Sequence, residues 1–253
     1  MQFYNNQVRP LCGIIGIVSK TEVVNRLIKG LKQLEYRGYD SSGVVIANTN
    51  SLCRRRSSGK LLNLKRRIKE KPISGKIGIA HTRWATHGKP TEKNAHPHLT
   101  DNVGLVHNGI IENHLELKES LKLKGVKFSS ETDTEVIVKL VEIELTDRGL
   151  TPEEAVKVTL KKLKGSFALC FVFRGFENLL IATKRGSPLA LGYGKEEMFV
   201  GSDANALSLF TKNICYLEEG DFAIIKKEKI SIYDYNDNEI NRKIVYIRGD
   251  ASV

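Results

Sequence analysis

The side chains of this sequence that could carry out chemistry are concentrated in one segment. All six histidines fall between positions 81 and 114, and several other functional side chains lie among them. The histidines are His81, His87, His96, His98, His107 and His114, and their neighbours include Arg83, Trp84, Asn94, Asn108 and Gly109. Imidazole, guanidinium and amide groups at this density indicate a functional site that is built largely from loops.

A zinc site is one interpretation of the histidines. His96 and His98, joined by His81 or His107, would provide enough imidazole ligands. However, the sequence contains neither a His-Glu-x-x-His helix pattern nor a close pair of cysteines. We therefore expect no metal site, and we expect His81, His96, His98 and His114 to form hydrogen bonds to loop backbones.

The dipeptide Asn108-Gly109 directly follows the apolar run 103–107 and has two interpretations. Asn-Gly is the preferred pair for a type I′ turn, so it could close a β-hairpin. It also offers a side-chain amide and a backbone N–H from adjacent residues, which are the donors of an oxyanion hole. The local sequence does not choose between them.

The four cysteines contain no Cys-x-x-Cys pair and are expected to be reduced thiols. Cys170 lies inside an apolar run and Cys215 lies next to Ile214, so both are predicted to be core residues. Cys12 begins the apolar run 12–18. Taken alone, that position is more typical of a buried strand cysteine than of a nucleophile.

Alternating helix and strand signals predict the elements that must position these residues. The apolar run 12–18 predicts a buried strand, and apolar residues at three-to-four spacing after Thr21 predict a helix. The next predicted elements are a loop over 36–43, strands at 44–47 and 77–81, a basic surface helix over 61–71, a polar loop through 102, a strand at 103–107 and a helix from about Asn113.

Capping patterns and short β-rich runs dominate the second half. Thr132 with Glu135, and Thr151 with Glu154, have the spacing of a capping box, which predicts helices near 133–147 and 152–163. Strands are then predicted around 166–173, 179–183, 188–192, 197–201, 221–226, 230–234 and 244–248. The whole pattern predicts an α+β protein with mainly antiparallel sheet.

The composition is that of an ordinary globular protein with one domain. Of 253 residues, 41% are hydrophobic and 27% are charged. No apolar run approaches the roughly 20 residues that cross a bilayer. The first eleven residues lack the features of a secretory signal, so a cytoplasmic location without membrane contact is expected.

The net charge of +11 raises the question of nucleic acid. The basic residues are scattered over the runs 54–56, 65–71, 161–164 and 226–229, and they form no single patch with aromatic residues. We therefore expect solvated helix faces and turns, and no nucleic-acid partner. A basic nucleic-acid-binding module remains the alternative from another class of protein, and it predicts steeply salt-dependent binding.

Six blocks of sequence carry a resemblance to a known family. They are CGI from Cys12, YRGYDSSG from Tyr36, HTRWATHGKP from His81, NAHPH from Asn94, VHNGIIEN from Val106 and SETDTEVI from Ser130. Together with LKGSFAL, GSPLALG and GSDANAL further on, they resemble the glutaminase domain of the glutamine:fructose-6-phosphate amidotransferases, the glucosamine-6-phosphate synthases, which are class II glutamine amidotransferases. The resemblance covers essentially everything after residue 11.

The resemblance implies a fold and a reaction. The implied fold is the N-terminal-nucleophile hydrolase fold, a four-layer αββα sandwich of two antiparallel sheets between helices. The implied reaction is hydrolysis of the side-chain amide of glutamine to glutamate and ammonia through a γ-glutamyl thioester, with no cofactor. In this family the ammonia normally supplies glucosamine-6-phosphate synthesis from fructose 6-phosphate.

The resemblance also implies a role for individual residues. Cys12 is the nucleophile, and Asn108 and Gly109 hold the oxyanion. Arg83 binds the substrate α-carboxylate, and Asp133 binds the α-ammonium.

A second group of residues is implied to act around these. Trp84, Thr86 and His87 lie on a loop that closes over glutamine, with Trp84 as a gate towards the synthase half. Arg37 orders the surroundings of the nucleophile.

The position of Cys12 departs from the family pattern, because residues 1–11 precede it. The family uses the free α-amine of the cysteine as its base, since that amine has a pKa of roughly 7.7 to 8.0. We therefore expect residues 1–11 to be a removed propeptide or, as we favour, a mis-called start at which Leu11 stands for the initiator Met. If they persist, the alternative is a catalytically silent or regulatory domain.

The second departure is that residues 12–253 match only the glutaminase half. The family's sugar-phosphate isomerase domain, which accepts the ammonia, is expected downstream or on a separate chain. A homodimer is expected in that full-length context. The present chain is expected to release ammonia from glutamine without making an amino sugar.

Overall fold

The computed structural model describes residues 12–85 and 88–247. The helices are α1 (Val24–Gln33), α2 (Leu61–Glu70), α3 (His114–Leu123), α4 (Glu135–Thr146), α5 (Pro152–Leu160) and α6 (Ala204–Leu207). The strands are β1 (Gly13–Ser19), β2 (Ser41–Ala47), β3 (Leu52–Ser58), β4 (Ile77–Arg83), β5 (His98–Leu99), β6 (Val103–Ile111), β7 (Gly165–Phe173), β8 (Leu180–Arg185), β9 (Ala190–Tyr193), β10 (Glu197–Gly201), β11 (Asn213–Tyr216), β12 (Phe222–Ile225), β13 (Ile230–Tyr233), β14 (Glu239–Ile240) and β15 (Ile244–Tyr246).

The strands within the described residues form two antiparallel sheets. The eight-stranded sheet has the order β15-β11-β9-β10-β1-β4-β2-β3, and the seven-stranded sheet has the order β14-β13-β12-β8-β7-β6-β5. β1 therefore lies near the centre of the first sheet, where Ile15 pairs with Gly201 of β10 and with Ala80 of β4. The strands that carry Cys12, Arg83 and Asn108 thus come from both sheets.

Side chains alternate between the two faces of each sheet, so the apolar core consists of three clusters. In β1, Ile14 and Val18 lie in the apolar cluster between the sheets, whereas Ile15 and Ile17 lie in the cluster beneath α1 and α2. In β7, Cys170 lies in the cluster between the sheets, while neighbouring phenylalanines pack with α4 and α5. This period of two buries both faces of each sheet, and the order of layers is helix, sheet, sheet, helix.

The α+β prediction and the four-layer αββα arrangement of the N-terminal-nucleophile hydrolase fold are confirmed. The predicted helices near 61–71, 133–147 and 152–163 are present with ends within about three residues. The capping box at Thr151 is also confirmed, since its hydroxyl accepts from the Glu154 N–H at 3.3 Å and its own N–H donates to the Glu154 carboxylate at 2.9 Å. Cys170 and Cys215 are fully buried, as predicted.

Several local predictions are wrong. The segment 36–43 is not all loop, because β2 begins at Ser41, which pairs with Ser58 and Arg83. The capping box at Thr132 does not form, since α4 begins only at Glu135, whose carboxylate accepts from the Ser130 N–H at 2.6 Å. The sequence also does not predict β3, β5, β11, β14 or α6.

The described residues contain no helix that is both long enough and apolar enough to span a bilayer. The predicted leader, residues 1–11, lies outside the described residues, as do 248–253 and the loop positions Thr86 and His87.

Gly43 allows the histidine-bearing loop to pack against the eight-stranded sheet. A Cβ at this position of β2 would lie 2.2 Å from the His96 carbonyl oxygen and 3.0 Å from the Arg55 carbonyl oxygen. Both are backbone atoms, so neither can move aside as a side chain would. Glycine is thus required for close approach rather than for an unusual backbone angle.

We expect Gly43→Ala to lower the free energy of unfolding by about 2 to 3 kcal/mol, because the methyl group overpacks against backbone. Gly125→Ala is the control, since its Cβ would meet nothing within 4 Å and only the left-handed backbone (φ 81°) adds a cost, about 1 kcal/mol. Urea denaturation of both variants measures the difference. Equal costs for the two would contradict the close-packing interpretation.

Candidate active site

The predicted site residues that the structure describes all line one pocket. It has a volume of about 210 Å³ and lies where β1 and β4 of one sheet approach β6 of the other. These residues are Cys12, Arg37, Arg83, Trp84, Asn108, Gly109 and Asp133. Residues up to 121 positions apart in sequence therefore meet at one point, and we call this cavity the Cys12 pocket.

Cys12 lies directly before β1 and is partly buried. Its Sγ accepts a hydrogen bond from the Trp84 N–H at 3.3 Å, and its thiol contacts the Trp84 carbonyl oxygen at 3.6 Å. Burial raises the pKa of the thiol, and the nearby Asp40 adds to this, while the Trp84 hydrogen bond and the Arg83 charge oppose it. The thiol therefore needs a base before it can act as a nucleophile.

Asn108 and Gly109 lie within β6 and do not form a hairpin turn. The turn interpretation is therefore wrong, because the ladder to β7 runs through both residues, with Asn108 opposite Ala168. The Asn108 Nδ2 donates to the Cys12 carbonyl oxygen at 2.9 Å. Gly109 has a φ of 119°, and a Cβ there would lie 2.0 Å from the Ser166 carbonyl oxygen, so only glycine fits.

Two side chains of opposite charge, Arg83 and Asp133, are nearly buried in the pocket, with 3% and 4% of their surface exposed. Arg83 is the last residue of β4, and its Nη2 contacts the Gly88 carbonyl oxygen at 3.5 Å. Burial lowers the pKa of Arg83, although Asp40, Cys12 and Asp133 act in the opposite direction. The Asp133 carboxylate accepts from the Ile111 N–H at 2.8 Å, which holds it against the end of β6.

The turn before α4 is held by a buried carboxylate. Glu135 accepts hydrogen bonds from the Ser129 N–H, the Ser129 hydroxyl and the Ser130 N–H at 2.6 to 3.1 Å. Burial would raise the pKa of Glu135, but the hydrogen bonds from these serines outweigh it and lower the pKa. This arrangement fixes the short segment that carries Asp133 and Thr134.

Four buried histidines form a cluster behind the pocket: His81, His96, His98 and His107. The rings of His81 and His96 lie 4.4 Å apart, and those of His96 and His98 lie 4.8 Å apart. Their ring nitrogens bond to side chains, with His81 on Asn108, His98 on Thr132, and His96 and His107 both on Thr134, at 2.9 to 3.0 Å.

The prediction that His81, His96 and His98 bond to loop backbones is therefore wrong. Their ring nitrogens bond instead to side chains from β6 and from the turn before α4. For His114 the prediction is confirmed, since its Nδ1 lies 2.8 Å from the Ile111 carbonyl oxygen. Within residues 12–85 and 88–247, no three His, Cys, Asp or Glu side chains are placed to hold a metal ion.

Thr134 connects this cluster to Asp133. Its hydroxyl donates to the Asp133 carboxylate at 3.4 Å, and it lies 2.9 Å from both His96 Nε2 and His107 Nδ1. A hydroxyl has a single proton, so both imidazole nitrogens must donate to the Thr134 oxygen. The imidazoles thereby polarise a hydroxyl that points at the buried carboxylate.

Arg37 and Trp84 form part of the rim. Arg37 pairs with Asp203, and its Nε donates to the Tyr36 hydroxyl at 3.1 Å. Trp84 is 43% exposed, which leaves its ring accessible at the mouth of the pocket. The base of the following loop is fixed by Asp40, which accepts from the Ala85 N–H at 2.6 Å.

Sequence reasoning missed several residues of the pocket and its support: Asp40, Ile110, Thr132, Thr134, Ser187, Pro188 and Asp203. Most of them lie inside the blocks that carry the family resemblance, so their signal was present. Nothing in a single sequence indicates that Thr134 receives two imidazole donors, because its partners lie 27 and 38 positions away.

Comparison with known proteins identifies the family. A family model described as "Glutamine amidotransferase domain" matches residues 81–209, about half of the chain. The chain belongs to the glutamine amidotransferase domain family. The matched range contains every described residue of the Cys12 pocket except Cys12 and Arg37.

The relatives of this amidotransferase domain are longer proteins. The glutamine–fructose-6-phosphate aminotransferase (isomerizing) of Mesorhizobium japonicum is 52% identical over 233 residues, and that of Brucella suis biovar 1 is 53% identical over 234 residues. Each match covers 92% of this chain but only 38% of the relative. Among solved structures, the glutamine phosphoribosylpyrophosphate amidotransferase from B. subtilis, complexed with ADP and GMP, superposes with a TM-score of 0.77 at 25% identity, covering 90% of this chain and 50% of that chain.

The histidine cluster is expected to make the amidotransferase domain less stable in mild acid. Burial lowers the pKa of His81 to about 3 and holds the pKa values of His96 and His98 well below their usual range. In the unfolded chain these histidines take up protons below a pH of about 6.5. The stability that depends on their neutral form is therefore complete above that pH and is lost as the pH falls towards the folded-state values.

We expect the free energy of unfolding to decrease between pH 7 and pH 5.5, with each of the three histidines contributing about 1.4 kcal/mol per pH unit once the unfolded chain titrates. His98→Gln keeps an amide near Thr132 and should remove one of these contributions. Chemical denaturation at both pH values measures the dependence. An unchanged pH dependence in His98→Gln would contradict the assignment.

Proposed function

We propose that this chain hydrolyses the side-chain amide of glutamine to glutamate and ammonia through a γ-glutamyl thioester on Cys12. The observation that carries the proposal is that the Cys12 Sγ shares a 210 Å³ pocket with Arg83, Asp133, Asn108 and Gly109, in a glutamine amidotransferase domain. A pocket of this size suits one small amino acid. A buried guanidinium can bind the α-carboxylate of such an amino acid, and a buried carboxylate can bind its α-ammonium.

Substrate recognition follows from these charges. The Arg83 guanidinium binds the α-carboxylate, and the Asp133 carboxylate binds the α-ammonium. The substrate lies with its side-chain amide towards Cys12. Because Thr134 and the Ile111 N–H already bond to Asp133, this carboxylate is held in place before glutamine arrives, and little ordering is needed on binding.

The nucleophile is activated by the α-amine of Cys12 itself. Burial raises the pKa of the thiol, and a free α-amine, with a pKa of roughly 7.7 to 8.0, can accept the thiol proton near neutral pH. The sulfur attacks the amide carbon, and the ammonium form of the amine returns a proton to the departing ammonia. Water then attacks the thioester, which releases glutamate and restores the thiol.

The negative oxygen of the tetrahedral intermediate is held by the Asn108 Nδ2 and the Gly109 N–H. Asn108 supports this role because its amide nitrogen already faces Cys12, at 2.9 Å from the Cys12 carbonyl oxygen. In comparable hydrolases one such donor contributes about 3 kcal/mol to the transition state.

The remaining roles concern the rim. Trp84, Thr86 and His87 belong to a loop that closes over glutamine, with Trp84 as the gate through which ammonia leaves. Arg37 holds the surroundings of Cys12 through its pair with Asp203.

The activity belongs to a larger context. We propose that residues 12–253 are the glutaminase part of a glutamine:fructose-6-phosphate aminotransferase and that its ammonia serves glucosamine-6-phosphate synthesis. The acceptor would be fructose 6-phosphate on a sugar-phosphate isomerase domain, in a cytoplasmic homodimer. Support comes from the relatives, of which this chain spans 38%. Residues 1–11 are a propeptide or a mis-called start.

The first test concerns the amine. A chain that begins at Cys12 is expected to release ammonia from glutamine, whereas a chain with residues 1–11 attached should not, because its Cys12 nitrogen is an amide and cannot accept a proton. Mass spectrometry establishes the first residue of each preparation, and a coupled glutamate dehydrogenase assay measures ammonia. Equal activity from a chain whose leader is intact would overturn this mechanism.

The second test separates binding from chemistry in the chain that begins at Cys12. Asp133→Asn keeps an oxygen for the Ile111 N–H but loses the charge, so the KM for glutamine should rise about 10- to 100-fold. Asn108→Ala should lower kcat by about 100- to 1,000-fold. Cys12→Ala should abolish both turnover and labelling by a glutamine-mimicking electrophile. Persistent labelling of Cys12→Ala would place the nucleophile elsewhere.

The same preparation distinguishes the other interpretations. A catalytically silent domain predicts no ammonia from any form of the chain, and a nucleic-acid module predicts steeply salt-dependent binding to DNA that glutamine does not affect.

The third test concerns the acceptor. With glutamine and fructose 6-phosphate together, the chain that begins at Cys12 should yield glutamate and ammonia in equal amounts and no glucosamine 6-phosphate. Chromatographic detection of the amino sugar checks the outcome. Its formation by this chain alone would show that the acceptor site lies within residues 12–253.

A further inference from the structure

His81 is the fully buried histidine that the mechanism above does not use. It is the fifth residue of β4, its side chain is 0% exposed, and its Nε2 lies 2.9 Å from the Oδ1 of Asn108. We propose that His81 is a positioning residue that locks the Asn108 side-chain amide with its NH₂ group facing Cys12. This inference rests on the proposed function, because it assigns His81 a task only through the oxyanion donor.

The hydrogen-bond network determines which atom of the amide faces which neighbour. The Cys12 carbonyl oxygen can only accept, so the atom of Asn108 that lies 2.9 Å from it must be the amide nitrogen. The amide oxygen therefore faces His81, and the His81 Nε2 must donate to it. One histidine N–H thus fixes the orientation of a group that could otherwise be rotated by 180° at little steric cost.

The surroundings of His81 favour the tautomer that this role requires. The other ring nitrogen, Nδ1, has no hydrogen-bond partner among the described residues, as expected for an unprotonated nitrogen. The groups that face the ring are the His96 imidazole at 4.4 Å, His107 and the Arg83 guanidinium. Burial and these neighbouring groups keep the pKa of His81 low, although its hydrogen bond to Asn108 acts against this.

The contact also joins the two sheets. His81 belongs to β4 of the eight-stranded sheet, and Asn108 belongs to β6 of the seven-stranded sheet. Asn108 also bonds back to the eight-stranded sheet, because its Nδ2 donates to the carbonyl oxygen of Cys12, which lies directly before β1. If His81 no longer donates, the buried amide oxygen loses its partner, and the rotated amide would present oxygen instead of nitrogen to the developing negative charge.

Two substitutions of His81 distinguish the effect of losing its N–H donor from the effect of losing its side-chain volume. His81→Gln places an amide N–H near the position of Nε2, and His81→Leu fills the space without a donor. In the chain that begins at Cys12, His81→Leu should lower kcat for ammonia release about 30- to 300-fold while the KM for glutamine changes less than about threefold, because Arg83 and Asp133 are untouched. His81→Gln should stay within about fivefold of the parent kcat.

A matched control and a double variant complete the test. His98→Leu removes another buried imidazole of the same cluster, one bonded to Thr132 and not to Asn108, and it should lower kcat less than about fivefold. Adding His81→Leu to Asn108→Ala should cause no further loss, because the two residues act through one group. The pH profile of kcat/KM should keep its shape in His81→Gln.

Three results would overturn the inference: a parent-like kcat in folded His81→Leu, a kcat in His81→Gln as low as in His81→Leu, or additive losses in the double variant. Far-UV circular dichroism and thermal unfolding verify the fold of each variant. If the parent chain itself releases no ammonia, it is the proposed function that fails. If only the inference about His81 fails, the parent chain releases ammonia but one of these three results is observed.

Discussion

The Asn108 side chain bonds to both sides of the site at once, and the geometry of the pocket depends on this. Its amide nitrogen donates to the Cys12 carbonyl and its amide oxygen faces His81, both at 2.9 Å. A buried amide can satisfy both ends only if the two sheets keep their present separation and register. The same polar contacts that place a donor beside the sulfur therefore also constrain the packing of the sandwich.

The polar groups behind the pocket form a network without a full charge of their own. Burial keeps His81, His96 and His98 neutral, so they act as oriented hydrogen-bonding partners of Asn108, Thr134 and Thr132. The charged groups, Arg83 and Asp133, face the cavity instead. This division places Arg83 and Asp133 where a zwitterionic amino acid could pair with them, and it keeps the histidine cluster behind them free of charge, where an unpaired charge would be costly.

Much of the fold could be predicted from the sequence, because period-two and three-to-four patterns report burial directly. The strand before Thr21, the helix after it and the capping box at Thr151 follow from such local rules. The strand β3 could not be predicted from such rules, because Arg54 and Arg56 look like a solvated run of charge in the sequence. In the structure these arginines donate to the carbonyl oxygens of Pro97, Lys93 and Ala95. The site was predicted through the family blocks; the residues alone left Cys12 and Asn108 open. What the sequence could not provide was the pairing of histidines with threonines, because those contacts depend on how distant segments pack.

The register of the eight-stranded sheet has a consequence for synthesis of the protein on the ribosome. Cys12 lies directly before β1, yet one of the two neighbours of β1, β10, is translated much later, since Ile15 pairs with Gly201. Until β10 emerges, one edge of β1 has no partner, and Asp203, which pairs with Arg37 at the rim, has not been made. A nascent chain that has not reached residue 203 therefore lacks both one partner strand of β1 and the carboxylate that pairs with Arg37, so the Cys12 pocket can take its described form only after that residue has been made.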